Sequence, residues 1–349
     1  MNGELWTWGS NSHGQLGVED FTGEESAIPL KAPLPGGTAA VLDAVLGGGH
    51  TLIPLNNGSL LGAGRNEYGQ LGLEKLSKIL SWTLIPVDSL LGGSSYQVSA
   101  GWDFTYVYTA KTVAVAGSNL HSQIALDKGI QKTRIFTPID LSFLRDARMK
   151  GISCGLRHTL FLDSRGNVYG VGSNRKGQLG LTNKGSILVS PSPVVMDRNV
   201  AQISAGQNFS LCLSEDGSVF GFGDNKFGQL NIPVMESPLL RIDCGWTHCL
   251  GLQSSRHILA WGRNTYGQTT GNGLGPCKDV SSGSEHALAI YQNRLVSWGW
   301  NEHGNCGNGS TSNVLEPATV EWNFKGRDIV FFRAGPGHSL AYVVDLGHA

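Results

Sequence analysis

Five histidines, His50, His158, His248, His286 and His338, occupy one position in a recurring block of the form Gly-x-x-His-[Ser/Thr]-Leu, and two further copies carry Phe104 and Phe209 there. Imidazoles can ligate zinc or carry protons, but a zinc centre needs three or four ligands in one coordination sphere. One histidine per repeat spreads them along the chain. The column therefore reads as architecture, each ring nitrogen bonding backbone in the neighbouring turn, and no metal site is expected. The six cysteines, Cys154, Cys212, Cys244, Cys249, Cys277 and Cys306, contain no C-x-x-C pair. They read as reduced, mostly buried thiols. Asp103 and Glu285 have the chemistry for paired acid–base work, yet they fall in repeats two and six, too far apart to share a substrate. There is no phosphate-binding Gly-x-x-x-x-Gly-Lys-[Ser/Thr] loop, no Gly-x-Ser-x-Gly elbow and no His-Glu-x-x-His helix. No enzymatic activity and no cofactor are expected.

Recognition is the better use for the remaining reactive or amphipathic side chains. Trp102, Asp103, Arg157, Trp246, Glu285, Trp300 and Glu302 are not required by the repeat, and tryptophan and arginine dominate protein–protein hot spots. These seven are the candidate partner-binding residues. Trp8, Trp261 and Trp298, each directly before an anchor glycine, read instead as packing between repeats.

The elements that position these residues follow from a second block. It reads Gly-x-Asn-x-x-Gly-Gln-Leu-Gly and is best formed from Gly9 to Gly17, Gly64 to Gly72 and Gly172 to Gly180. Weaker copies start at Gly223, Gly262 and Gly299, and the most eroded starts at Gly117. The seven anchors lie 37 to 55 residues apart, a period typical of solenoids and propellers. Between the two blocks runs alternating apolar sequence around a tight turn, as in His158–Leu162, Ser164-Arg165-Gly166-Asn167 and Val168–Gly172. That is a β-hairpin. The last histidine block opens a hairpin with no second strand, while the chain starts with a second strand, Glu4–Gly9, that lacks its first. The expected fold is an all-β seven-bladed propeller over residues 1–349, closed by pairing of the N- and C-terminal strands in one blade. In such a ring the residues just ahead of each histidine and just after each anchor glycine share one face, around the channel mouth.

Composition narrows the partners. Lys+Arg 26 against Asp+Glu 27 give a formal net charge of −1, which supplies no field for nucleic acid or an anionic membrane. The repeat is already under way at Leu5, so no signal peptide is expected, and no apolar run reaches membrane-spanning length. A monomer or heterodimer in the cytoplasm, with access to the nucleus, is the expected state.

The paired blocks resemble the repeats of the regulator-of-chromosome-condensation propeller family over essentially the whole chain. Gly101-Trp102-Asp103-Phe104-Thr105, Gly245-Trp246-Thr247-His248, Gly283-Ser284-Glu285-His286 and the stretch from Ser297 to Gly307 look like the subgroup of fungal killer-toxin-insensitivity and animal secretion-regulating exchange-factor proteins. The fungal side of this resemblance implies a partner, a small zinc-containing electron-carrier protein of diphthamide synthesis and tRNA wobble-uridine modification. The animal side implies nucleotide exchange on a small GTPase. Against exchange, the spans between anchors 223, 262 and 299 are short and hold no obvious wedge hairpin.

Overall fold

The computed structural model describes residues 3–35, 40–93, 95–181, 185–321 and 327–345. Its strands form seven antiparallel sheets, each taken as one blade. Blade 1 comprises Val45–Leu46, His50–Pro54, Leu60–Arg65 and Lys78–Ile85, running outward from the central channel. Blade 7 joins the two ends of the chain, in the order Arg327–Ala334, His338–Asp345, Gly3–Ser10, Glu25–Lys31. Gly3 to Gly9 pair with Val344 to His338 without interruption, so the N-terminal strand completes the C-terminal hairpin. The expected closure is present.

The two blocks meet across the hairpin of every blade. His50 is opposite Gly64, Phe104 opposite Gly117, His158 opposite Gly172, Phe209 opposite Gly223, His248 opposite Gly262, His286 opposite Gly299 and His338 opposite Gly9. The anchor must be glycine. At Gly64 φ is +107°, and a Cβ would lie 2.3 Å from the Gly49 carbonyl oxygen. The Asn and Gln of the second block fasten the turn that follows. Asn66 Oδ1 accepts from the Leu71 amide at 2.8 Å, and Gln70 Oε1 accepts from the Tyr68 amide at 3.0 Å.

Blade-to-blade packing differs from the sequence expectation in one respect. The histidines do not bond backbone in a neighbouring turn. Each Nε2 meets a hydroxyl in the next blade: His50 with Thr105 at 2.9 Å, His158 with Ser210 at 2.9 Å, His286 with Ser339 at 2.8 Å and His338 with Thr51 at 2.7 Å. The hydroxyl-bearing residue is the one after the histidine position of that next blade. It passes the bond on to the carbonyl at the Gln position of the previous turn, as Thr51 does to Gln15 at 2.8 Å and Ser210 to Gln178 at 2.7 Å. Where blade 6 has Ala287 in place of a hydroxyl, His248 uses Ser282 at 3.0 Å. The tryptophans before the anchors act in parallel: the indole N–H of Trp8, Trp261 and Trp298 donates to the carbonyl of Asn305, Gln229 and Gln268 respectively.

This belt has a pH consequence. Burial lowers His50, His248, His286 and His338 to about 3 and His158 to about 4. The unfolded chain therefore binds protons that the fold does not, beginning near the unperturbed value of 6.5. The stability contributed by neutral histidines is complete above pH 6.5 and is lost as pH falls toward about 3, at about 1–2 kcal/mol per histidine by pH 5. Burial raises Asp103, Asp243 and Glu285, which act in the opposite sense. We expect the melting temperature to fall from pH 6.5 to pH 4, with a shallower slope in His158→Phe, the residue used by blades 2 and 4. A flat profile in the wild type would overturn this account.

Blades 4 and 5 have three strands, not four. They end at Val219–Gly223 and Ile258–Gly262, the two repeats followed by short spans, which leave no length for an outer strand. In blade 5 Asn272 takes the place of that strand: its amide bonds both the N–H and the C=O of Ala260, at 2.6 and 2.8 Å.

Candidate functional site

The inner strands of all seven blades line a central channel with a cavity of about 240 Å³. At one mouth, the tight loops ahead of the histidine column are tied to one another around part of the ring. Gly48 donates to the Trp102 carbonyl at 3.0 Å, Gln207 to Trp246 at 3.2 Å, Trp246 to Ser284 at 2.7 Å and Ser284 to Gly335 at 3.2 Å. Trp102 stands on blade 2 and Trp246 on blade 5, nearly opposite in a ring of seven. Their rings nevertheless meet across the mouth, 5.3 Å between centroids and tilted by 50°. Both line the channel below and a vestibule of about 460 Å³ above.

The rest of the vestibule comes from blades 5, 6, 7 and 1. Arg263, Tyr266, Glu285, Trp300, Glu302 and His303 form the side that carries most of its chemistry. Glu285 is 7 % exposed and is held from three directions. Thr247 Oγ1 donates to it at 2.8 Å, Gln268 Nε2 makes a short bond to its other oxygen, and Arg263 Nη1 lies 3.6 Å away. Burial raises its carboxyl above the ordinary value, and these three partners oppose the rise. Arg263 is itself clamped over the rings of Phe227 and Tyr266, with centroids at 5.0 and 4.9 Å. Trp300 donates its indole N–H to Glu302 at 3.2 Å and packs edge-on against His303, whose Nδ1 lies 2.9 Å from Glu25. The outcome is an aromatic pocket with one fixed buried carboxylate and one exposed one, suited to clasping a protruding part of another protein.

Of the seven candidate residues, five line this vestibule: Trp102, Trp246, Glu285, Trp300 and Glu302. The other two do not. Asp103 turns toward its own blade, where Gln123 Nε2 lies 3.5 Å from it, and Arg157 is exposed on blade 3. Both sit in the loop position that placed them with the tryptophans, but Asp103 turns its side chain away from the vestibule that its neighbour Trp102 enters, and Arg157 stands on blade 3, which does not line it. Arg263, Tyr266, Thr247 and Gln268 were not among the candidates: Gln268 is the fixed Gln of the second block, Arg263 and Tyr266 fill that block's variable positions, and Thr247 is a variable mouth-loop residue just ahead of His248. Glu285 in one loop with Arg263 after the preceding anchor is the signal that could have found them. Among the described residues no group of three or more histidine, cysteine, aspartate or glutamate side chains is arranged to hold a metal ion.

The model of the RCC1-like domain matches residues 4–341. The secretion-regulating guanine nucleotide exchange factors of Mus musculus and Bos taurus are 31% and 32% identical to this chain over 397 aligned residues, covering 97% of it and 83% and 82% of their own lengths. Among solved structures, Prp20p from Saccharomyces cerevisiae superimposes with a TM-score of 0.88 at 20% identity, over 99% of this chain and 92% of its own, a likeness of fold. With the family's domain matched from the first strand of the closing blade to the last, the chain belongs to the RCC1-like domain family.

Proposed function

We propose that the chain is a non-enzymatic docking protein whose vestibule receives a small protein partner, and that this partner is the small zinc-containing electron carrier of diphthamide synthesis and wobble-uridine modification. The observation that carries the docking is the convergence of Trp102, Trp246 and Trp300 around one cavity beside the held carboxylate of Glu285. Three large aromatic side chains at a rim with polar surroundings are what hot spots are made of. The choice of partner rests on the resemblance carried by the segments around Trp102, Trp246, Glu285 and Trp300.

Nucleotide exchange on a small GTPase is the second reading, favoured by the names of the mouse and bovine relatives. Exchange needs an acidic group free to disturb the bound magnesium and phosphates. Asp103 faces Gln123, Glu285 is held by three partners and Glu302 takes the indole N–H of Trp300, so each of these three acids already has a partner within the protein.

Two measurements separate the readings. Titration of the chain with the purified zinc carrier is expected to give saturable binding with no acceleration of labelled-GDP release from a panel of small GTPases. GDP release without carrier binding would replace the first reading with the second; binding to neither would overturn both.

A further inference from the structure

We propose that Cys244 and Cys249 form a reversible cross-strand disulfide that locks the loop carrying Trp246. The two are direct register partners in the strands Leu239–Cys244 and His248–Gln253. The backbone identifies theirs as a non-hydrogen-bonded pair. The Cys244 amide turns away from its partner strand and donates to Ser204 Oγ in blade 4 at 3.0 Å. Two residues earlier, both backbone groups of Ile242 likewise turn to the Gln202 side chain, at 3.0 and 2.9 Å. One step further along the hairpin, the Gly245 amide does bond across, to the His248 carbonyl at 2.9 Å. Pairs of this kind bring Cα atoms to about 4.5 Å, near the lower end of the roughly 4.4–6.8 Å that a disulfide spans.

Both thiols also point the same way. Cys244 Sγ contacts the Ser204 carbonyl and Cys249 Sγ the Gln229 carbonyl, each at 3.6 Å and both in blade 4. Cys249 occupies the position where blades 1, 2, 3, 4 and 7 carry Thr51, Thr105, Thr159, Ser210 and Ser339. In blade 3 the equivalent cross-strand pair is Cys154 with Thr159, so blade 5 has the complete dithiol.

The chemistry follows from exposure. Cys244 lines the channel and is half-buried, within reach of a small hydroperoxide, whereas Cys249 is fully buried with its thiol raised well above the ordinary range by burial and by the Cys244 thiol beside it. Hydrogen peroxide transfers one oxygen to Cys244, giving a sulfenic acid and one water. The Cys249 sulfur then attacks the Cys244 sulfur; the S–O bond breaks, and the hydroxyl leaves with the Cys249 proton as a second water. Two thiols and one peroxide become one disulfide and two waters, with two electrons passing from sulfur to oxygen. A reducing thiol returns the pair through a mixed disulfide, each half supplying one electron and one proton.

Only Gly245, Trp246, Thr247 and His248 separate the two sulfurs. The bond draws both sulfurs off the blade 4 carbonyls and fixes the loop whose indole closes the channel mouth and floors the vestibule. This holds whatever partner the vestibule receives.

The test treats the full-length protein with hydrogen peroxide, alkylates it under denaturing conditions and maps the cysteines by mass. The expected product has Cys244 and Cys249 both unalkylated, lighter by two hydrogens, restored by a reducing thiol and accompanied by a change in tryptophan emission. Cys249→Ser keeps the hydroxyl used by blades 4 and 7; it should leave Cys244 as a trappable sulfenic acid, without the reversible emission change. Cys212→Ala should leave the disulfide intact. A Cys212–Cys244 link, over-oxidation of Cys244 beside alkylatable Cys249, or two unmodified thiols after all accessible methionines have oxidised would each overturn the proposal.

Discussion

Deletion of residues 336–349 is expected to abolish cooperative folding. The strand His338–Asp345 is not an edge appendage: it lies between Arg327–Ala334 and Gly3–Ser10, so its loss leaves one strand on each side without its neighbour. Leu340, Tyr342 and Val343 on it are 0%, 6% and 0% exposed, in the cores on either side of blade 7. At about 1.5–3 kcal/mol for each of three such side chains, their loss removes about 5–9 kcal/mol, comparable with the whole stability of a domain. His338 goes too, and with it the bond to Thr51 that joins blade 7 to blade 1. The released strand edges then favour association between chains. Circular dichroism melting and light scattering should show loss of the sigmoidal transition and aggregation. A truncated protein that melts with the wild type would mean the ring does not depend on this closure.

The ring was legible because its determinants are local and repeated. An anchor glycine at positive φ recurs in all seven blades, and a tight hairpin turn and an Asn–Gln turn staple each recur in six, all acting within a few residues, so even the eroded Gly117 copy stands in register. The hydroxyl relay lay in plain view as the Ser or Thr that follows the histidine position in five of the seven blades. It went unread because a histidine's partner sits in the next blade, more than 50 residues on for His50 and Thr105. The three-stranded blades were visible only as short spans, since a missing strand leaves no motif.

The site was half legible for a related reason. Position in the repeat predicts which face a residue occupies, and all seven candidates belong to loops of one face. It does not predict which sector of the rim they share, because that depends on side-chain reach across a channel. Trp102 and Trp246 are long enough to meet from nearly opposite blades, whereas Asp103 turns back to Gln123 in its own blade. Glu285 stays in the vestibule because Thr247, Gln268 and Arg263 hold it there, a constraint supplied by the neighbouring blade.

Trp246→Ala is expected to weaken partner binding by about 30-fold or more, about 2 kcal/mol, while the melting temperature changes little. The indole is half-buried at a rim, so its removal opens no sealed core cavity. Its contribution depends on Trp102, which supports it from across the mouth; contacts of this kind add about 0.5–1.5 kcal/mol beyond area burial. Trp102→Ala should therefore also weaken binding, and the double variant should lose less than the sum of the two. Arg157→Ala, on another sector of the rim, should bind as the wild type does. The cycle distinguishes a shared aromatic anchor from two independent contacts, because only a shared anchor gives a coupling term between residues on opposite blades. Additive losses would sink the anchor, and an Arg157→Ala defect equal to that of Trp246→Ala would move the interface to the other side of the ring.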